Sequence, residues 1–251
     1  MLILAAVMNF LVGICIGLTG IAGFLLPMFY TGFMGMPATE ALALSFTAFF
    51  VSGVLGSVSY YKNGKLDLAP AAVLSIGSFF GALGGVKINL LIPEETIKVI
   101  LYVVVLLSGI SILLRKDSKG TVSEKRRKSG KGRWIGYLVL GAVTGAVCAA
   151  SGAGGPVLVM PLLTLIGFLP HTAVGMSLFN SIFIAVPSAA GYLANAAYME
   201  QMGLMLAIII VCHGAGVIIG SKNAVKINQT LLKRIVAAGS IAIACIKLWI
   251  G

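Results

Sequence analysis

Long apolar runs alternate along this chain with short polar or glycine-rich interruptions. The apolar runs cover approximately residues 2–33, 38–61, 66–87, 93–114, 134–168, 172–198, 202–220 and 231–249. Most are close to the ~20 residues that a helix needs to cross ~30 Å of hydrocarbon. The pattern predicts an all-α polytopic membrane protein of about eight transmembrane segments.

Two runs are too long for one crossing. As straight helices, 2–33 and 134–168 would each reach about 50 Å, yet neither is long enough to cross twice with a full turn. Each also carries a helix-breaking stretch near its middle: Gly17-Leu18-Thr19-Gly20-Ile21-Ala22-Gly23 in one, Ser151-Gly152-Ala153-Gly154-Gly155-Pro156 in the other. Glycines in a membrane helix also serve as a close-packing face. Length and composition together favour a helix, a break at membrane depth and a half-helix. Such backbone is tolerated there only when it is buried in protein or lines a cavity.

The two broken segments belong to a duplication. Pro27 pairs with Pro161 and Gly20 with Gly154 at an offset of 134; Gly81, Gly85, Lys87 and Lys98 pair with Gly216, Gly220, Lys222 and Lys233 at 135. The chain therefore divides into a first repeat, 1–114, a linker, 115–133, and a second repeat, 134–251. Substrate sites in transporters built from repeats lie at the repeat interface near the midplane.

Composition agrees. Of 251 residues, 59% are hydrophobic and 10% charged, far below the ~25% charge of a soluble domain. The formal charge of +11 would suggest nucleic acid in a soluble protein. Here nine Lys/Arg fall between Arg115 and Arg133, with no aromatic residue before Trp134 to stack on bases. That cluster reads as a cytoplasmic loop, and no nucleic-acid partner is expected. Four crossings per half would put the loops near 62–65 and 199–202, and both termini, on the same side as the linker. Re-entrant hairpins would instead invert one half relative to the other. Four cysteines without a CxxC pair argue against structural zinc or a disulfide framework, and no metal or cofactor is expected. The N-terminus lacks a basic region, so the first run is not expected to be a cleaved signal.

The breaks are the candidate chemistry. Half-helices starting near Phe24 and Pro156 would present N–H groups without intrahelical partners, at the positive end of the helix dipole. Two such ends at one interface suit an anion. No acidic residue occurs in 1–39 or 125–199. The candidate substrate-binding residues are Thr19, Gly20, Ala22, Gly23, Ser151, Gly152, Ala153, Gly154 and Gly155 at the breaks. Ser45, Ser177 and Asn180 join them from the helices that follow, with Thr47 and Ser181 nearby. Cys15 and Cys148 precede the breaks and are candidate pathway thiols. His213, inside an apolar run, is a candidate for proton coupling; His171 sits at a loop edge.

The two motifs, followed by Pro27 and by Met160-Pro161, together with Thr172 to Phe179 (TAVGMSLF), resemble the TauE/SafE family of sulfite and sulfonate permeases. The resemblance covers essentially the whole chain. It implies passage of a small sulfur-containing or organic anion, such as sulfite, thiosulfate or sulfoacetate, across a bacterial cytoplasmic membrane. The expected partners are that anion, the lipid bilayer and, as a candidate assembly, a second copy of the chain. No catalytic residue is assigned. Three other readings compete. His213-Gly214-Ala215-Gly216 resembles a helix of rhomboid-type intramembrane serine proteases, with Ser151 as nucleophile and His213 as base, but Ala149 stands where that family has Gly. A passive anion channel would use similar breaks. A scaffold without transport would have no reason to keep two breaks at membrane depth.

Overall fold

In the computed structural model the described residues are 2–20, 22–93, 131–196 and 202–224, with shorter stretches or single positions between 95 and 110 and at 238, 241, 245 and 249. The basic linker as far as residue 130, and most of the fourth and eighth apolar runs, lie outside the described residues; the linker's last three residues already belong to a helix.

Eight helices order the described chain, and no strand occurs among its residues. They are α1 (Leu2–Thr19), α2 (Leu25–Gly32), α3 (Ala38–Lys62), α4 (Leu68–Leu91), α5 (Lys131–Ser151), α6 (Gly155–Ile166), α7 (Pro170–Asn195) and α8 (Met202–Asn223). A 3₁₀ turn, Ala22–Phe24, leads into α2, and a π turn, Ile209–His213, interrupts α8. Proline fixes two helix starts: Pro37 precedes the first residue of α3 and Pro170 opens α7, positions where the missing N–H costs nothing. Six helices are long and apolar enough to cross a bilayer: α1, α3, α4, α5, α7 and α8. The protein is a polytopic, all-α membrane protein.

Both over-long runs are hairpins. Asn9 and Tyr30 would lie about 31 Å apart on one straight helix; the Asn9 amide donates to the Tyr30 hydroxyl at 2.7 Å. Tyr137 and Phe168 would be about 46 Å apart, yet their ring centroids are 6.1 Å apart. Each half-helix therefore turns back along the helix before it.

The helices pair across the two halves. Gly216 and Gly220 of α8 lie on the main chain of Phe10 and Ile14 in α1, and Gly13 and Gly17 of α1 lie on His213 and Val217 in α8. Gly77, Gly81 and Gly85 of α4 meet Leu138, Ala142 and Ala146 of α5. Numbers rise together in both pairs, so each pair is parallel. Glycine lets these backbones touch, the usual basis of helix association in lipid. The third pair, α3 with α7, is antiparallel: Phe46 stacks on Tyr192, Gly53 packs on Ile182, Gly56 on Leu178, and Tyr60 on Gly175. Exchanging the halves turns α1·α8 into α5·α4 and leaves α3·α7 unchanged.

Antiparallel α3 and α7 end on opposite sides of the molecule. Their carboxy-terminal ends, Lys62 and Asn195, therefore do not share a face, whereas four crossings per half would put them on one; residues 197–201 lie outside the described residues. These two helices form the centre. Each has 67% of its apolar span buried, against 33–44% for α1, α4, α5 and α8. The outer helices turn large apolar side chains outward, among them Ile3, Phe80, Val143 and Val211, as a lipid-facing surface requires.

The α4·α5 seam gives an internal comparison. A methyl at residue 81 would collide with the Ala142 main chain, whereas Gly84 has open space beside it. Gly81→Ala is expected to lower the melting temperature in detergent, with overpacking costing about 1–3 kcal/mol. Gly84→Ala is expected to raise stability by about 0.5–1 kcal/mol through helix propensity. Equal effects at both positions would contradict the seam.

Candidate functional site

Each break begins in the same way. α1 closes with the Gly20 N–H donating to the Ile16 carbonyl (2.7 Å), and α5 with Gly152 donating to Cys148 (2.9 Å). The glycines have φ of +72° and +71°, the left-handed conformation that ends a helix and that side chains with a Cβ disfavour. The structure thus registers Gly20 with Gly152, at an offset of 132, where the sequence pairing was Gly20 with Gly154. The second break holds two more residues before its proline, which restores the offset of 134 between Pro27 and Pro161.

The two breaks meet. A Cβ on Gly20 would lie 3.5 Å from the Pro156 ring and 3.1 Å from Val174 of α7. Gly23 and Gly154 face opposite edges of one ring, that of Phe49 in the middle of α3. Gly155 faces Ser181 and Ile184 of α7. Ala22, Gly23, Gly152, Ala153, Gly154 and Gly155 are all buried. The residues picked from sequence at the two breaks therefore lie around one centre, between α3 and α7.

The carbonyl and amide sides of the breaks differ. The Tyr60 hydroxyl, on α3, lies 3.4 Å from the carbonyls of Gly17 and Leu18. The Tyr192 hydroxyl, on α7, donates to the Ala149 carbonyl at 2.8 Å. Both tyrosines stand 43 residues beyond the carbonyl they reach. The Asn89 amide donates to the Ala150 carbonyl at 2.6 Å, and the Cys148 thiol to the Gly154 carbonyl at 3.5 Å. Protein groups thus cover the negative ends of α1 and α5. Neither α2 nor α6 has a side-chain N-cap, so the positive ends of the half-helices are left without side-chain acceptors. Sequence reasoning missed Tyr60, Tyr192 and Asn89. The offset of 132 shared by Tyr60/Tyr192 and Gly17/Ala149 was the available signal.

The hydroxyl candidates are engaged by their own helices. Thr19 donates to Cys15 (2.8 Å), Ser45 to Ala41 (2.6 Å), Ser151 to Val147 (2.7 Å) and Ser177 to Val174 (2.9 Å). Their oxygens keep acceptor capacity, but their protons are used. Asn180 is different: it is fully buried in α7, and both its amide nitrogen and its oxygen lack a hydrogen-bond partner. An unsatisfied buried amide costs about 1–3 kcal/mol and calls for a functional account. Of the thiols, Cys148 is buried on the break and Cys15 is half-buried. His213 is buried in the π turn, its Nδ1 3.1 Å from the Asn9 carbonyl. Ser151 sits on α5, packed on α4, while His213 sits on α8, packed on α1. Each side chain's hydrogen bond goes elsewhere, and no Ser–His pair forms.

The tyrosine contacts can be tested. Tyr192→Phe strands a buried carbonyl and is expected to cost about 1–3 kcal/mol of stability. Tyr60→Phe, whose contacts are longer, should cost less. Thermal melting of both variants in detergent measures the order; a reversed order would contradict the assigned hydrogen bonds.

The model of the family described as sulfite exporter TauE/SafE matches residues 4–246. Among relatives, the probable membrane transporter protein YdhB of Bacillus subtilis is 25% identical over 234 residues, spanning 89% of this chain and 91% of its own length. The probable membrane transporter protein MJ0441 of Methanocaldococcus jannaschii is 24% identical over 249 residues, with 91% and 86% covered. The probable membrane transporter protein YunE of Bacillus subtilis is 33% identical over a shorter stretch of 106 residues, 41% of this chain and 38% of its own. No solved structure matches. With its family matched over nearly the whole chain, and with helices built to cross a bilayer, this protein belongs to the sulfite exporter TauE/SafE family and is a membrane transporter rather than an enzyme.

Proposed function

We propose that the protein is a permease for a small anion, a sulfur-containing oxyanion or organosulfonate such as sulfite or sulfoacetate, in a bacterial cytoplasmic membrane. The observation that carries this reading is the polarity of the paired breaks. Two re-entrant half-helices direct their uncapped amino ends to a common centre, while tyrosine hydroxyls cover the opposing carbonyls. Helix dipoles and free N–H groups attract negative charge, and no acidic residue lies in either broken segment to oppose it. The amides of Ala22 and Gly23 and those of Ala153, Gly154 and Gly155 form the binding backbone in this reading; Gly20 and Gly152, whose N–H groups close α1 and α5, shape the turns that present them. Thr19, Ser45, Ser151 and Ser177 offer hydroxyl oxygens at its edge, and Asn180 offers a free amide donor.

The same reading makes the two repeats inverted. A re-entrant hairpin opens each half, and α3 and α7, antiparallel and crossing at the centre, are equivalent helices. With the repeats opposed in this way, the site lies at their interface near the midplane, and rocking one repeat against the other exposes it to alternate sides. The basic linker, by its charge, faces the cytoplasm.

The direct test is flux into proteoliposomes with sulfite, thiosulfate, sulfoacetate and simple carboxylates. Saturable exchange of at least one sulfur-containing anion is expected. Linear, non-saturating flux would mark a channel, and no response to any of them would overturn the anion reading. Asn180→Leu separates binding from packing. Removing a charge-assisted hydrogen bond of about 1.5–3 kcal/mol should weaken anion affinity about ten- to a hundredfold. Because neither amide atom is satisfied in the protein, the melting temperature of the anion-free variant should be unchanged or higher. A destabilised variant with normal affinity would show that Asn180 serves packing alone.

A further inference from the structure

The two halves are equivalent in backbone but not in chemistry, and the largest difference lies away from the breaks. In the α4·α5 seam the Ser78 hydroxyl donates to the Gly141 carbonyl at 3.0 Å. The corresponding contact in the α8·α1 seam is made by His213, whose Nδ1 lies 3.1 Å from the Asn9 carbonyl. Ser78 and His213 are 135 residues apart, the offset of Gly81 with Gly216; Gly141 and Asn9 are 132 apart, the offset of the opening helices. Serine satisfies the carbonyl in one seam, so the fold needs only a small donor there. Histidine brings something more.

A carbonyl can only accept, so Nδ1 carries the proton in this contact, and Nε2 of the neutral ring presents a lone pair. That Nε2 is buried and without a hydrogen-bond partner. Beside it the polarity is built up further. Asn9 is fully buried; its amide nitrogen donates to Ala5 and to the Tyr30 hydroxyl, and its Oδ1 has no partner. Tyr30, also fully buried, accepts from Asn9 and keeps its own proton to give. Two acceptors and one donor are thus left over around one π turn, a distortion often found at functional sites. The second seam replaces Asn9 with Gly141 and His213 with Ser78.

We infer that His213, with Asn9 and Tyr30, is a proton-binding site that couples anion movement to a proton. This rests on the anion-permease reading above. The proton enters from bulk water on one side, binds the Nε2 lone pair to give an imidazolium whose Nδ1–H remains on the Asn9 carbonyl, and leaves to water on the other side. Among the described residues, the surroundings give the imidazolium no resident counter-ion. On α3, the neighbours of the turn are Val51 and Leu55, which face Gly214. The charged residues of α3 and α8 that are described, Glu40, Lys62 and Lys222, stand at least seven residues along their helices from these positions. The titratable side chains nearby are Tyr30 on α2 and Cys212 on the same turn. A lone cation in hydrocarbon is disfavoured. His213 is level with Gly13 on α1, about 10 Å by helix rise from Gly20. A bound anion at the breaks is therefore the compensating charge. By linkage, the anion must favour the proton as much as the proton favours the anion.

The experiment uses the full chain in proteoliposomes with radiolabelled sulfoacetate, then thiosulfate if sulfoacetate does not exchange. With the membrane potential clamped, one proton per anion gives about tenfold accumulation per pH unit. His213→Ser, which borrows the side chain of the other seam, should exchange anion across the membrane but lose accumulation driven by a pH gradient. Accumulation in that variant equal to wild type would overturn the inference. A measurement on the wild type is independent of how the variant folds: addition of the anion should draw protons with it, seen as alkalinisation of the external medium by a pH-sensitive dye. Exchange without proton movement would overturn this inference and leave the permease reading standing. Absence of exchange with both anions would remove both.

Discussion

A bilayer offers no water to an interrupted helix, so every backbone group exposed by the interruption must find a partner within the protein or a bound solute. This constraint governs the molecule more than any other. It explains why the breaks occur where α3 and α7 cross, since only there is the backbone shielded from lipid on all sides. It also explains Tyr60, Tyr192 and Asn89. Carbonyls at the ends of α1 and α5 would otherwise be orphaned in an apolar centre, and the Tyr60 and Tyr192 hydroxyls and the Asn89 amide reach them from neighbouring helices. The starts of α2 and α6, by contrast, carry no side-chain cap.

The glycine seams serve the same end differently. Outside the centre, helices are held by close backbone approach, α1 on α8 and α4 on α5. Each seam joins the opening helix of one half to the fourth helix of the other. Consequently, neither half encloses a break by itself. The hairpin of α1 and α2 needs α8 against its back and α7 against its glycine, and the hairpin of α5 and α6 needs α4 and α3 in the same places. The seams therefore tie the two halves together through both hairpins at once.

Hydropathy carried some of this and not the rest. Run lengths exposed the two interrupted segments, because 32 and 35 residues cannot lie straight in ~30 Å of hydrocarbon, and the helix ends read from glycine and proline fell close to those observed. Direction was not encoded: a half-helix that continues and one that folds back have the same apolar composition. The fold-back became visible only through Asn9 with Tyr30 and Tyr137 with Phe168. The repeat register slipped by two residues at Gly20 because aligning prolines hides an insertion between the helix end and the proline. The hydroxyls are hard to read from sequence for a local reason. Serine and threonine in a helix reach the carbonyl a turn back, as Thr19, Ser45, Ser151 and Ser177 all do, so their presence in sequence says little about a ligand. Asparagines do this too, as Asn9 and Asn195 show with the carbonyls of Ala5 and Gly191; Asn180 does not, and its isolation depends on neighbours that no local pattern reveals.

Equivalence and difference between the halves then take separate roles. The features that recur at a fixed offset, namely the left-handed glycines, the tyrosines 43 residues beyond their carbonyls, and the seam glycines, are those a two-state scaffold needs twice. The features that do not recur are polar and buried: Asn180 where the other half has Ala48, and the Asn9–Tyr30–His213 group where the other half has glycine and serine. These groups make the two halves chemically unequal on an otherwise repeated backbone, and the buried imidazole of His213 is the most distinctive of them among the described residues.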